Sequence, residues 1–218
     1  ILDDTFSKLA QIGQIPREFD YPRKTLPNTF HYTGPFHLPE SREPVPFPFD
    51  LLDGRPLIYA SLGTLQNQLL YVFEIIAEAC KMIDAQLVIS LGRKGGALEK
   101  PLAGSPIVVD YAPQLELIKK AAMVITHAGM NTAIETLAQG IPMVAIPVTN
   151  DQPGVAARVK WTGTGEMIPL AKIGVERLRT AVQSVLNNNA YREAALTMQS
   201  AIQQAGGVTL AADIVEKA

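Results

Sequence analysis

Short apolar runs alternate with longer segments of helical spacing from Leu57 to the end of the chain. The short runs are too brief for helices and rich in β-branched residues, and their nearly continuous apolarity is typical of strands buried on both faces of a parallel sheet. The predicted strands lie at 57–61, 86–91, 107–109, 123–126, 143–146 and 166–168.

The longer segments carry apolar residues at helical spacing, and Gly140, Asn189 and the Gly206-Gly207 pair are the expected stop signals. The predicted helices lie at 69–83, 114–121, 131–139 and 152–160, followed by a helical tail at 175–186, 191–203 and 208–217. The alternation predicts an α/β domain with a Rossmann-like, doubly wound parallel sheet and helices on both faces.

The first 56 residues differ in composition, because they hold nine of the 16 prolines and six of the seven phenylalanines. Proline disfavours long helices and inner strands, so we predict an extended connector punctuated by turns, with a short helix over 5–12. The many aromatic residues argue against a disordered linker. We therefore expect this connector to pack on a protein surface.

Composition narrows the class of protein. With 218 residues, 47% hydrophobic residues and a net charge of -2, the chain is globular and carries no charge signal for nucleic acid. The single Cys80 offers neither an internal disulfide nor a zinc site. No apolar run has the roughly 18 residues of a spanning helix. We expect a cytoplasmic protein without a transmembrane segment; the first residue, which is not Met, suggests a fragment.

Ligands of open parallel sheets bind beyond the carboxyl ends of the strands. Strand 123–126 runs into a small turn containing His127 and Gly129 and then into a helix start, where free amides and the helix dipole favour phosphate. Asn131 and Thr132 add side-chain donors, and His127 could donate to a phosphate oxygen. The alternative is that Asn131 or Thr132 is a helix N-cap and His127 an ordinary loop residue.

A second small turn follows strand 57–61, where Gly63 is flanked by the hydroxyls of Ser61 and Thr64. This turn could face the same anion from the other side. The chain lacks the glycine spacing of a dinucleotide fold and the lysine of a P-loop, so neither nicotinamide nor ATP-hydrolysing chemistry is supported. An ordinary turn between strand and helix is the alternative.

The remaining candidates suit a nucleoside and a sugar. Tyr111 could stack on a nucleobase, Gln114 could bond a ribose hydroxyl, and Glu135 could accept from both hydroxyls of a ribose. Asp151 and Gln152 offer a carboxylate and an amide to sugar hydroxyls. The alternatives are surface packing for Tyr111, a solvated helix face for Glu135 and helix capping for Asp151.

The stretch from Tyr111 to Val159 resembles the donor-binding half of a family 1 glycosyltransferase with the two-domain GT-B fold. The matching motifs are aromatic-Ala-Pro-Gln, Thr-His-x-Gly-x-Asn-Thr with Glu135, Gly-Ile-Pro-Met, and Asp-Gln-Pro-Gly-Val-Ala-Ala-Arg-Val. The last motif is similar to bacterial carotenoid (zeaxanthin) and macrolide glycosyltransferases. Tyr111 departs from the family, which usually has Trp there.

The resemblance implies a role for each matching residue. Tyr111 would stack on the base, the Ala112 backbone would read it, and Gln114 with Glu135 would hold the ribose. The residues implied for the diphosphate are His127, Gly129, Asn131 and Thr132, helped by Ser61, Gly63 and Thr64. Asp151 and Gln152 would hold the transferred sugar.

The resemblance also implies an inverting enzyme that needs no metal or other cofactor and transfers a hexose, glucose, from a UDP-sugar to a small lipophilic acceptor. Residues 1–45 would be the tail of an N-terminal acceptor domain plus a linker, and 46–218 the donor domain. The general base would belong to the N-terminal domain, so we expect the isolated chain to be inactive. The alternatives are a separate donor subunit that needs a partner chain and a non-catalytic nucleotide-sugar-binding module.

Overall fold

The computed structural model describes residues 7–36, 43–63, 69–93 and 100–218. The main sheet within these ranges has six parallel strands in the order β5-β4-β3-β6-β7-β8. They are β3 (Leu57–Ser61), β4 (Gln86–Ser90), β5 (Ile107–Val109), β6 (Ala121–Thr126), β7 (Met143–Ala145) and β8 (Gly165–Met167). All six predicted strands are confirmed.

Seven helices within the described ranges match the seven predicted between residues 69 and 217. They are α1 (Leu70–Cys80), α2 (Gln114–Lys120), α3 (Met130–Ala138), α4 (Gln152–Trp161), α5 (Val175–Asn187), α6 (Asn189–Gln204) and α7 (Gly207–Lys217). The sheet is buried on both faces. Ile58 and Ala60 pack in a core with α1 and α5, whereas Leu57 and Tyr59 pack in a second core with α2, α3 and α4. This two-sided burial explains the continuous apolar runs.

The strand order determines where on the sheet a ligand crevice is expected. From β3 the chain proceeds through β4 to β5 on one side, and from β6 through β7 to β8 on the other. The adjacent carboxyl ends of β3 and β6 therefore form the topological switch point, where ligands bind in this class of sheet. Ser61 lies opposite Thr126 in the register of these strands, so the turns that follow them face each other.

The connector differs from the prediction in one element. Gln11–Gly13 is strand β1, paired in parallel with β2 (Phe30–Tyr32), so the helix predicted over 5–12 is wrong for its described residues. Backbone pairing explains the difference, because the Gln11 amide donates to the Thr29 carbonyl over 2.7 Å. Residues 1–6 lie outside the described ranges.

The connector packs on the domain, as predicted. Its short 3-10 helix Arg17–Phe19 contacts α6, and the Phe19 ring is fully buried in the core that contains Leu117 and Met198. The α-helices of the described ranges are each too short or too polar to span a bilayer.

Candidate functional site

The turn between β6 and α3 has a strained backbone, and it directs the start of α3 towards the crevice. Ala128 has a φ of +64°, a left-handed conformation that residues other than glycine rarely adopt. Its amide donates to the Thr126 hydroxyl over 3.2 Å, which holds the turn closed. The sharp reversal lets α3 start directly beyond the end of β6.

The start of α3 retains unpaired amides for a ligand. Gly129 occupies the N-cap position and no side chain caps the helix, so the capping alternative for Asn131 and Thr132 is wrong. The first helical hydrogen bond runs from the Ala133 amide to the Gly129 carbonyl over 3.0 Å. The first amides of a helix have no intrahelical partner and, with the helix dipole, suit an anion; here they lie beside Thr132, which is buried, and Asn131, which is exposed.

The His127 ring lies between two glycines. A Cβ added at Gly63 would lie 2.8 Å from the ring, and one added at Gly129 would lie 2.6 Å from His127 Nε2. Any side chain at either position would collide with the imidazole. The structure thus brings the turns after β3 and β6 together around His127, as the sequence predicted.

Burial lowers the pKa of His127 below its ordinary value, and this effect outweighs the opposing influence of the Asp151 charge and of a hydrogen bond to the Ser61 backbone. The ring is therefore neutral at pH 7 in the unliganded chain. A dianion bound at the α3 terminus would favour the protonated ring.

Gln114, which is partly buried, and Glu135, which is buried, form a hydrogen-bonded pair. Gln114 Nε2 donates to Glu135 Oε2 over 2.6 Å, and Gln114 Oε1 accepts from the Tyr59 hydroxyl over 3.4 Å. Glu135 is 1% exposed, so the alternative of a solvated helix face is wrong. Burial raises the pKa of Tyr59 to about 12, so its hydroxyl remains a donor. The sequence did not point to Tyr59, whose only signal was a phenol within an apolar strand.

Tyr111 presents an exposed ring at the carboxyl end of β5, with 41% of its surface accessible. Backbone pairing continues past β4, because the Gly92 amide donates to the Asp110 carbonyl over 2.8 Å. Arg93 follows Gly92 directly, and its Nε is the one buried side-chain nitrogen or oxygen of the described residues without a hydrogen-bond partner. Arg93 belongs to no motif, so the sequence did not point to it.

The Gln152 side chain stabilises the loop that precedes it, a role that the sequence did not indicate. Its Oε1 accepts from the backbone amides of Val148 over 2.9 Å and Thr149 over 3.0 Å, and the side chain is buried. This oxygen is therefore committed to the loop, which leaves Nε2 as the group that could meet a sugar. Asp151 is exposed at the N-cap position of α4 but does not cap the helix.

The structure shows two groups of contacting residues among the predicted ones. Ser61, Gly63, His127 and Gly129 meet around the imidazole, and Gln114 pairs with Glu135, while the charge of Asp151 acts to raise the pKa of His127. Thr64 lies outside the described residues. Within the described ranges, no three His, Cys, Asp or Glu side chains are grouped as metal ligands.

Comparison with known proteins identifies the same family for nearly the whole chain. The family model described as UDP-glucoronosyl and UDP-glucosyl transferase matches residues 5–206. The chain is 36% identical to zeaxanthin glucosyltransferase of Pantoea ananas, over 99% of this chain and 51% of that protein. It is 30% identical to demethyllactenocin mycarosyltransferase of Streptomyces fradiae, over 93% of this chain and 44% of that protein.

Solved structures agree on the fold. The crystal structure of the glycotransferase of kitacinnamycin superposes with a TM-score of 0.83 at 27% identity, over 96% of this chain and 54% of that one. The chain spans about half the length of the relatives it matches.

Proposed function

The chain belongs to the UDP-glucoronosyl and UDP-glucosyl transferase family, and we propose that it is the donor-binding half of an inverting glycosyltransferase that uses UDP-glucose. The observation that carries the proposal is the convergence of the His127 ring and the uncapped start of α3 on one crevice. An imidazole and a set of free amides suit a diphosphate.

The nucleoside end would occupy the crevice between β5 and α3. Tyr111 offers an exposed ring for the base, and the Ala112 backbone lies at the same loop. The buried Glu135 carboxylate would accept from the ribose hydroxyls, with Gln114 held beside it. The unpartnered Arg93 Nε, in the loop that follows β4, would gain a hydrogen bond from the same ligand.

The diphosphate end would supply the catalytic effect of this half. Negative charge develops on the departing diphosphate in the transition state, so donors arranged around it accelerate transfer. The α3 amides, the Thr132 hydroxyl and His127 would serve as those donors in place of a metal ion or another cofactor. Ser61, Gly63 and Thr64 would complete the cradle from the β3 side.

The sugar would lie towards the loop after β7. Asp151 presents an exposed carboxylate there, and Gln152 keeps its Nε2 as a donor. We propose that 46–218 is the donor domain and that 1–45 is the end of an N-terminal acceptor domain plus linker. That domain would bind a small lipophilic acceptor and supply the general base, so the 218-residue chain should bind the donor without transferring the sugar.

Calorimetric titration with UDP, UDP-glucose, dTDP and GDP tests the proposal. We expect UDP to bind and the His127→Ala variant to lose about 1 to 3 kcal/mol, the value of a charge-assisted hydrogen bond. Uridine, which lacks the diphosphate, should bind both proteins equally. His31→Ala serves as the control, because His31 lies on β2, outside the crevice. Equal UDP affinity for the wild type and His127→Ala would contradict the proposal.

A further inference from the structure

Asp20 is the centre of an ion network that joins the connector to α4. Its side chain is 2% exposed and accepts from Arg158 Nη2 over 2.7 Å and from Arg158 Nε over 3.2 Å. Arg23 Nε and the Tyr32 hydroxyl each donate to its other oxygen over 2.7 Å. These donors all bind the one buried Asp20 carboxylate, and together they fix the position of that carboxylate.

Arg158 connects the Asp20 carboxylate to the start of α4. Besides its bonds to Asp20, it donates through Nη1 to the Gly154 carbonyl over 3.1 Å. The guanidinium lies over the Tyr21 ring, 4.9 Å from its centroid, and that ring packs against Trp161. The side chain is thus held on three sides.

The first turn of α4 needs such support. It contains Pro153 and Gly154, and glycine within a helix is less favourable than alanine. Asp151 does not cap the helix. The same turn carries Asp151 and Gln152, the residues that we propose to meet the donor sugar. The bond from Arg158 to the Gly154 carbonyl therefore acts within one turn of the sugar-facing residues.

We propose that Asp20 and Arg158 are positioning residues for the sugar subsite, which they tie to the connector. The proposal rests on the proposed function. The ion pair between Asp20 and Arg158, called the bridge below, holds α4, whereas the proposed nucleotide contacts lie on β5, α2 and α3. The bridge should therefore affect binding of the sugar moiety more than binding of the nucleotide. It also ties donor-sugar geometry to residues 1–45, which we assign to the end of an N-terminal acceptor domain plus linker.

The test compares dissociation constants for UDP and UDP-glucose in the 218-residue chain. In Asp20→Asn and in Arg158→Lys we expect the ratio of the UDP-glucose constant to the UDP constant to rise about five- to tenfold, as expected for a small misplacement of contact groups. The UDP constant itself should change less than about twofold. The double variant should be no worse than the weaker-binding single variant, because both remove one bridge.

Arg23→Gln is the matched control, since Arg23 binds the same carboxylate but, among the described residues, has no hydrogen bond or ion pair to α4. It should leave the ratio unchanged although it also weakens the network. Circular dichroism at the titration temperature establishes that each variant is folded. If Asp20→Asn unfolds, Arg158→Lys, which keeps the charge, decides the outcome.

Three results separate the possibilities. An unchanged ratio in the Asp20 and Arg158 variants, with UDP still bound by the wild type, overturns the positioning role and leaves the proposed function standing. An equal change in Arg23→Gln also overturns it, because the effect would then follow stability. If the wild type binds neither ligand, the proposed function fails and the positioning role fails with it.

Discussion

Alanine in place of Gly129 should displace His127 without disturbing the backbone. Gly129 has φ -60° and ψ 133°, an extended conformation that alanine adopts freely, so the effect comes from the added methyl group. That methyl would lie 2.6 Å from His127 Nε2, whereas ordinary contact begins at 3.4 Å. The ring must therefore move by about 0.8 Å. Gly63 also limits this movement, because it lies against the same ring, with its Cβ position 2.8 Å from Nε2.

A shift of this size would break a hydrogen bond to a diphosphate, since a bond of about 2.8 Å would lengthen to about 3.6 Å. The loss should approach that of His127→Ala, about 1 to 3 kcal/mol, or roughly 5- to 150-fold in the UDP dissociation constant. Calorimetric titration with UDP measures it. In a His127→Ala background the clash disappears, so adding Gly129→Ala should cost almost nothing further.

Gly174→Ala is the matched control. Gly174 is also the N-cap of a helix with extended backbone, but a Cβ there meets no atom within 4 Å. UDP affinity within twofold of the wild type in Gly129→Ala, or equal losses in both alanine variants, would refute the role of the two glycines in seating the imidazole.

Three further outcomes follow from the ionisable groups. UDP affinity should rise as the pH falls from about 8 to about 6, because burial lowers the pKa of His127 in the free chain and the bound diphosphate would raise it. Calorimetry should show that the His127→Ala variant lacks this pH-dependent gain in affinity. Hydrogen bonds from Arg23, Tyr32 and Arg158 outweigh the effect of burial and hold the pKa of Asp20 well below its usual range. The stability from Asp20 is therefore complete above about pH 4 and is lost on further acidification, so denaturant titrations should show a shallower acid loss in Asp20→Asn. Burial raises the pKa of the Cys80 thiol to about 12, so a thiol reagent at pH 8 should label it only after unfolding, and rapid native labelling would contradict this.

Much of the fold was readable because the main sheet is buried on both faces. Each of its strands then consists of apolar residues over most of its length, and that signal is local. The strand, glycine turn and helix start around His127 to Thr132 were readable for a similar reason, since they are contiguous in sequence, and the anion site proposed there stays a prediction. Strand β1 was not readable, because its hydrogen bonds depend on a partner strand near Phe30 and its three residues carry no pattern of their own.

The residue types at the crevice can be read from the local sequence, but the burial and hydrogen bonding of those residues depend on neighbours that are distant in the chain. Glu135 is buried because α3 packs on the sheet beside Gln114, and Gln152 bonds the preceding loop rather than solvent. Asp20 and Arg158 are separated by 138 positions, and nothing in either segment indicates the other. Hydrogen bonds and burial of this kind depend on which surfaces the folded chain brings together, and the chain order does not encode those distances directly.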